Sequence, residues 1–159
     1  MIRMTIREAR ERVDESTEQC IYCYRDGDTI FYIGRSDQPL ERLEQHLGAG
    51  SFLPIPDPIG TFILDHHPLS LDWTVEIYTV RELDPEQFKD IVTITRDDAD
   101  WIEGQMIFKY GPCFNGTGNK NRKHLPEQYQ IKGIANAGVT LSSSLQSPAN
   151  QNAKRGKVE

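Results

Sequence analysis

Two short apolar-aromatic runs, Cys20 to Tyr24 and Thr29 to Gly34, are separated by Arg25-Asp26-Gly27-Asp28. An Asp-Gly pair between alternating apolar residues is the strongest short-range signal for a β-hairpin, because glycine takes the positive φ of a tight turn at little steric cost. The chain therefore has to fold back on itself here. Side chains alternate between the faces of a strand, which places Tyr22 with Tyr24 on one face of the first strand and Ile30 with Tyr32 on one face of the second. Aromatic pairs are expected to line up across the hairpin, and the remaining chain has to pack around it.

After Gly34 the pattern becomes helical. Gln38-Pro39 suits a helix start, since the missing proline N–H falls where no intrahelical partner exists, and Gly48 suits a stop. Helical spacing makes Leu40, Leu43 and Leu47 the buried stripe and sets Arg42 and His46, four apart, together on a different face. A later helix is expected from about Asp97 to Tyr110, ended by Gly111-Pro112. On it Glu103, Met106, Ile107 and Tyr110 share one side. The carboxylate thus lies in an apolar flank, where an unpaired charge is costly, so an arginine or a metal ion has to offset it.

Cys20-Ile21-Tyr22, then Tyr32-Ile33-Gly34-Arg35-Ser36, then Arg42 with His46 one turn later, resembles the signature of the GIY-YIG nuclease superfamily. Glu103 stands where that family carries a metal-binding glutamate, and Asn115, twelve residues on and after Pro112, where it carries an asparagine. The resemblance spans roughly residues 20 to 115. The chain departs from the pattern in having Cys20 where the first motif begins with Gly, and in a longer segment between Arg42 and Glu103 than compact members have.

The resemblance implies a metal-dependent endonuclease that hydrolyses DNA phosphodiester bonds to leave 5′-phosphate and 3′-hydroxyl ends. By the same resemblance Tyr22 is the general base, Tyr32 orients the water or phosphate, and Arg42 clamps the phosphate with its planar fork. A free phenol has a pKa near 10, so positive charge from Arg42 or His46 has to lower it, or His46 relays the proton. Glu103 is the implied ligand of a single Mg²⁺ or Mn²⁺, an ion that keeps most of its waters and needs few protein ligands. Asn115 supports the site, Arg35 and Ser36 touch the nucleic-acid backbone, and Gly34 lets the chain pass close. The rival is a non-catalytic nucleic-acid or protein-binding accessory module on the same fold. A zinc-stapled protein built on Cys20 and Cys23 ranks last, because on a strand those positions face opposite ways and no second ligand pair follows.

Charge is distributed unevenly. Residues 1 to 115 carry 11 Lys and Arg against 22 Asp and Glu, whereas residues 116 to 159 carry 7 against 2, so the sign reverses from −11 to +5. Lys120, Arg122, Lys123, Lys132, Lys154, Arg155 and Lys157 are candidate phosphate contacts, or simply a solvated tail. No apolar run approaches the roughly 20 residues needed to span a bilayer, and three cysteines without a pairing pattern suit a reducing, cytoplasmic setting. No familiar recognition domain is evident, so specificity is expected from the loop after Gly50, the tail, a homodimer or an accessory protein.

Read in order, the chain predicts a short charged helix over Ile6 to Val13 as an extension covering residues 1–18. A nuclease-like domain follows over 19–118 and a basic polar tail over 119–159, disordered from about Leu141. Between Gly50 and Pro68 four prolines predict a long loop with Ile59 to Leu64 tucked against the core, and His66 and His67 on it are read as surface residues. Leu71 to Val80 alternates as a third strand, with Leu71, Trp73, Val75, Ile77 and Thr79 on one side. Asp84-Pro85 starts a helix reaching about Ile94. The fold expected is α+β: a small three-stranded, mainly antiparallel sheet flanked by helices.

Overall fold

The computed structural model describes residues 1–15, 18–49 and 55–130. The chain divides into two units, Met1–His124 and Leu125–Glu159. Of the second unit, residues 125–130 are described and contain one turn of 3-10 helix, Glu127–Tyr129. The candidate contacts Lys132, Lys154, Arg155 and Lys157, and the segment from Leu141, lie outside the described residues.

The first unit is α+β. Its strands are β1 (Ile2–Thr5), β2 (Cys20–Asp26), β3 (Thr29–Ser36) and β4 (Thr74–Thr79), joined antiparallel in the order β1-β4-β2-β3. The sheet therefore has four strands, not three. The extra strand comes from the N-terminus, where the expected helix is confined to α1 (Ile6–Ala9) and the preceding residues pair with β4, Ile2 opposite Ile77 and Thr5 opposite Thr74. An open strand edge satisfies the backbone groups of Ile2–Thr5, and Thr5 then caps α1 in a capping box with Glu8.

The hairpin forms, with Gly27 at φ 55°, but its two-residue loop is Gly27–Asp28, one residue later than the Asp26-Gly27 pair, and Asp26 ends β2 opposite Thr29. Tyr24 pairs directly with Tyr32, and their rings stack with centroids 6.0 Å apart. A bulge at Tyr24/Arg25 shifts the register so that Arg25 faces Ile30. That extra residue puts Ile30 out of phase with Tyr32, and Ile30 packs with Ile21, Cys23 and Ile33 on the opposite face of the sheet.

Helix α2 (Pro39–His46) buries Leu40, Leu43 and, just past its end, Leu47, as the spacing predicted. Gln38 gives it no side-chain cap; instead the Asp14 carboxylate accepts from the N–H groups of Leu40 and Glu41, at 2.8 and 3.0 Å. The expected proline-rich loop contains a helix, α3 (Pro58–Asp65), capped by Asp57 and burying Ile59, Phe62 and Ile63. The prolines read as breakers include one at the first helical position, where it is harmless. Phe62 joins Phe31 and Trp73 in an aromatic cluster with centroids 4.6 to 5.2 Å apart. His66, half-buried, packs its ring on Phe62 and Trp73, while His67 is exposed.

A 3-10 turn, Leu69–Asp72, takes the first residues expected for the third strand. Two short helices follow, α4 (Val80–Leu83) and α5 (Pro85–Phe88). The helix expected to reach Ile94 stops at Phe88 because the Arg81 guanidinium donates to the carbonyls of Phe88, Ile91 and Val92, which holds that segment irregular. Helix α6 (Arg96–Tyr110) starts with a Thr95/Asp98 capping box and ends at Gly111 in the left-handed region, φ 56°. Its Ala99, Ile102 and Ile107 pack with Ile21, Cys23 and Ile33 of the sheet. Since β2 alternates, α6 lies on one face and α2, against Tyr22 and Tyr24, on the other.

Candidate active site

Residues of the hairpin and of both helices line a cavity of about 570 Å³. Tyr22 and Tyr32 line it from the hairpin, Arg42 from α2, and Arg96 and Glu103 from α6. Arg35 and Ser36 at the end of β3, with Gln19 and Asp37, complete it. Residues spread over some eighty positions of sequence thus meet at one place because the hairpin, α2 and α6 converge there.

Tyr22 is buried, with only its hydroxyl end toward the cavity, and this is where the glycine opposite it matters. Gly34 pairs with Tyr22 across the ladder, and a Cβ on Gly34 would fall 2.4 Å from Tyr22 Cζ. The ring lies across the space a side chain would fill. Tyr22 Oη is 2.9 Å from Nε2 of His46, which is itself buried and surrounded by the rings of Tyr22, Tyr24 and Tyr32. Nδ1 of His46 is 2.5 Å from Oδ2 of Asp57.

Burial holds the Tyr22 phenol well above its ordinary pKa, the neighbouring Tyr32 adds to this, and the Arg42 guanidinium opposes it. Tyr32 is raised as well, first by burial and then by the charges of Asp57 and Glu103. At neutral pH both phenols carry their protons.

Glu103 is half-buried at the cavity, and burial raises its pKa, with Asp100 adding to the rise and Arg35 opposing it. Among the described residues it has no ion-pair partner; Arg35, the arginine nearest in effect, pairs with Asp100 instead. The Arg35 charge acts on Glu103 without pairing with it, and a half-buried carboxylate lining the cavity in this way suits a divalent ion that brings its own waters. Among the described residues no group of three His, Cys, Asp or Glu side chains could hold a metal ion, so such an ion would have Glu103 as its protein carboxylate and water or phosphate for the rest. The thiols of Cys20 and Cys23 are both buried and pushed up by burial, to about 11 and about 12, which leaves them as packing groups.

His46 and Asn115 stand behind the cavity lining. Asn115 Oδ1 accepts from Ile33 N–H at 2.9 Å and its Nδ2 donates to Ile33 O at 2.8 Å, so one side-chain amide fills both backbone positions between Tyr32 and Gly34. It fixes the strand that carries the site. Of the residues expected to contact nucleic acid, Arg35 and Ser36 line the cavity while Lys120, Arg122 and Lys123 do not. Arg122 donates to Cys113 O at 2.9 Å.

Four residues of the site escaped the sequence reading: Gln19, Asp37, Arg96 and, behind the lining, Asp57. Arg96 lines the cavity from the first position of α6, where a positive charge opposes the helix dipole. That misplacement was its signal. Asp57 was marked by the Asp-Pro pair, the same helix-start signal that identified Asp84-Pro85. With Arg96 the cavity holds three guanidiniums against the carboxylates of Glu103 and Asp37, a local positive balance in a unit that is acidic as a whole.

No protein-family model, curated protein or solved structure matches this chain. Among the described residues no helix is long and apolar enough to cross a membrane.

Proposed function

We propose that the chain is a divalent-metal-dependent endonuclease of the GIY-YIG type that hydrolyses DNA phosphodiester bonds. The observation that supports it is the convergence on one cavity of a buried phenol hydrogen-bonded to an imidazole, three guanidiniums and a half-buried carboxylate with no ion pair among the described residues. A phosphodiester hydrolase needs these parts: a route for the water's proton, positive charge on the non-bridging oxygens, and help for the departing oxygen.

Arg42 and Arg96 face the phosphate from opposite helices, and a planar guanidinium matches its oxygens in pairs. Tyr32 orients the attacking water. Tyr22, once its proton has moved to His46 Nε2, takes a proton from that water as its oxygen attacks phosphorus. The bond from phosphorus to the 3′ oxygen then breaks, and the leaving oxygen is protonated from solvent. Mg²⁺ or Mn²⁺ on Glu103 would supply Lewis-acid stabilisation of the phosphate and the leaving group.

The test is nicking and cleavage of supercoiled, linear and branched DNA with Mg²⁺ or Mn²⁺, comparing wild type with Tyr22→Phe, Arg42→Ala and Glu103→Ala. Each substitution is expected to reduce the rate by at least about 10²-fold, the usual scale for a general base or an electrostatic clamp. Metal-stimulated cutting that survives all three substitutions would sink the proposal. Binding of DNA without cutting under any condition would instead favour an accessory module on the same fold.

A further inference from the structure

Asp57 does not line the cavity, yet it is held more firmly than a helix cap requires. Its Oδ1 accepts from Gly60 N–H at 3.0 Å, its own N–H donates to His46 O at 3.1 Å, and Oδ2 is left against His46 Nδ1 at 2.5 Å. Gly60 permits this: a Cβ there would lie 1.6 Å from His46 O, so only glycine lets α3 dock this closely on the end of α2. The start of α3 is thus shaped around His46.

We propose that Asp57 is a positioning residue that fixes the His46 proton on Nδ1, leaving Nε2 as the acceptor of the Tyr22 hydroxyl proton. An ionised carboxylate only accepts hydrogen bonds, so Nδ1 must donate to it. A neutral imidazole has a single N–H, so Nε2 is bare and the Tyr22 hydroxyl donates into it. The order of groups is that of an acid-imidazole-hydroxyl triad, with a phenol where such triads carry serine or a similar nucleophile. When the proton moves, Tyr22 becomes phenolate, His46 becomes imidazolium, and the Asp57 charge offsets the imidazolium. The other groups facing His46 are the phenols of Tyr22, Tyr24 and Tyr32 from the sheet, and the Arg42 guanidinium of the same helix acts on Tyr22. Among the described residues Asp57 is the one carboxylate bonded to the ring. The catalytic use of this arrangement rests on the nuclease reading; the placement of the proton does not.

Asp57→Asn separates the two. Asparagine caps helices as well as aspartate does, and to keep the Gly60 N–H bond its oxygen has to take the Oδ1 place, which turns its NH₂ toward Nδ1. The ring proton should then move to Nε2. The measurement is the His46 tautomer in the ¹⁵N-labelled full chain, from long-range ¹⁵N–¹H correlations assigned with His46→Gln, alongside thermal unfolding and DNA cleavage against pH. We expect the proton on Nδ1 in wild type and on Nε2 in Asp57→Asn. The two melting temperatures should be similar, and the variant's cleavage should fall by about 10²- to 10⁴-fold across the pH range. A wild-type proton on Nε2 overturns the inference, and that measurement needs no variant. A tautomer unchanged by Asp57→Asn, or changed with cleavage at the wild-type rate, also overturns it. A tautomer that switches while no form, wild type included, cuts DNA upholds the proton placement and defeats the nuclease reading instead.

Discussion

Replacing Gly34 by alanine tests whether the position of one phenol sets the activity. The backbone at Gly34 is ordinary β3 strand, so alanine meets no conformational penalty and gains roughly 0.5–1 kcal/mol of backbone entropy over glycine. Its Cβ, however, would sit 2.4 Å from both Cζ and Oη of Tyr22. Carbon contacts rest at about 3.5–4.0 Å, so the ring has to move by about 1 Å or more. It cannot turn aside freely, because Tyr24 and Tyr32 stand with centroids 5.3 and 6.1 Å away. The bond from Tyr22 to His46 Nε2 is 2.9 Å, and a shift of that size carries it past the ~3.2 Å limit of a good hydrogen bond. Misplacing a reacting group by about 1 Å costs on the order of 10²-fold in rate, about 2.7 kcal/mol in the barrier. Crowding a packed site costs about 1–3 kcal/mol of stability, partly offset by the entropy gain. The assay is single-turnover DNA cleavage with Mg²⁺ beside urea unfolding, with Gly104→Ala as control, since a Cβ there meets nothing within 4 Å. The control should cut at the wild-type rate and gain up to about 1 kcal/mol from helix propensity. Gly34→Ala cutting as fast as wild type would refute the link between ring position and rate.

Tyr24 is fully buried and its hydroxyl has no hydrogen-bond partner among the described residues, so Tyr24→Phe should raise the urea-unfolding free energy by about 1–2 kcal/mol; a loss of stability would mean the hydroxyl is satisfied after all. Arg96→Ala should weaken DNA binding and lower the slope of log affinity against log salt by about 1, without lowering the melting temperature, since the charge it removes opposes the helix dipole; an unchanged slope would remove Arg96 from the proposed phosphate site. Burial tends to raise the pKa of Glu76, but hydrogen bonds from Arg3, Tyr78 and Arg25 outweigh it and hold the carboxyl below its usual 4.5. Because the folded pKa is the lower one, this contribution is complete above the ordinary carboxylate range and disappears as pH falls through the depressed value. Glu76→Gln should cost about 1.5–3 kcal/mol at pH 7, the scale of lost hydrogen bonds to a charged group, and flatten the acid limb of the stability profile; an unchanged limb would show that other carboxylates control it.

The parts of the fold legible in the sequence are those whose cause is local. The hairpin followed from one Asp-Gly pair and two alternating runs, and α6 from its periodicity and its Gly-Pro stop. What was lost has its cause elsewhere in the chain. Ile2–Thr5 becomes a strand because β4 offers it an edge, and no window of a few residues contains that fact. Ile30 turned to the other face through a bulge that only the paired strands define. The segment after Phe88 left the helix for the guanidinium of Arg81. In the candidate site, Tyr22, Tyr32, Arg35, Ser36, Arg42 and Glu103 were legible as residues and do meet at one cavity. Asp57 was hidden because its proline was read for what it breaks and not for what it begins.

The segment after α6 lies along the outer side of β3: Cys113 and Phe114 donate to the carbonyls of Ile30 and Phe31, and Asn115 occupies both groups of Ile33. A strand so covered offers no template to another polypeptide, and edge-to-edge polymerisation, the common hazard of small antiparallel proteins, is blocked on that flank. The opposite flank ends in β1, only four residues long, too short for a durable foreign ladder. The amide that steadies the tyrosines therefore also guards the molecule against amyloid-like growth.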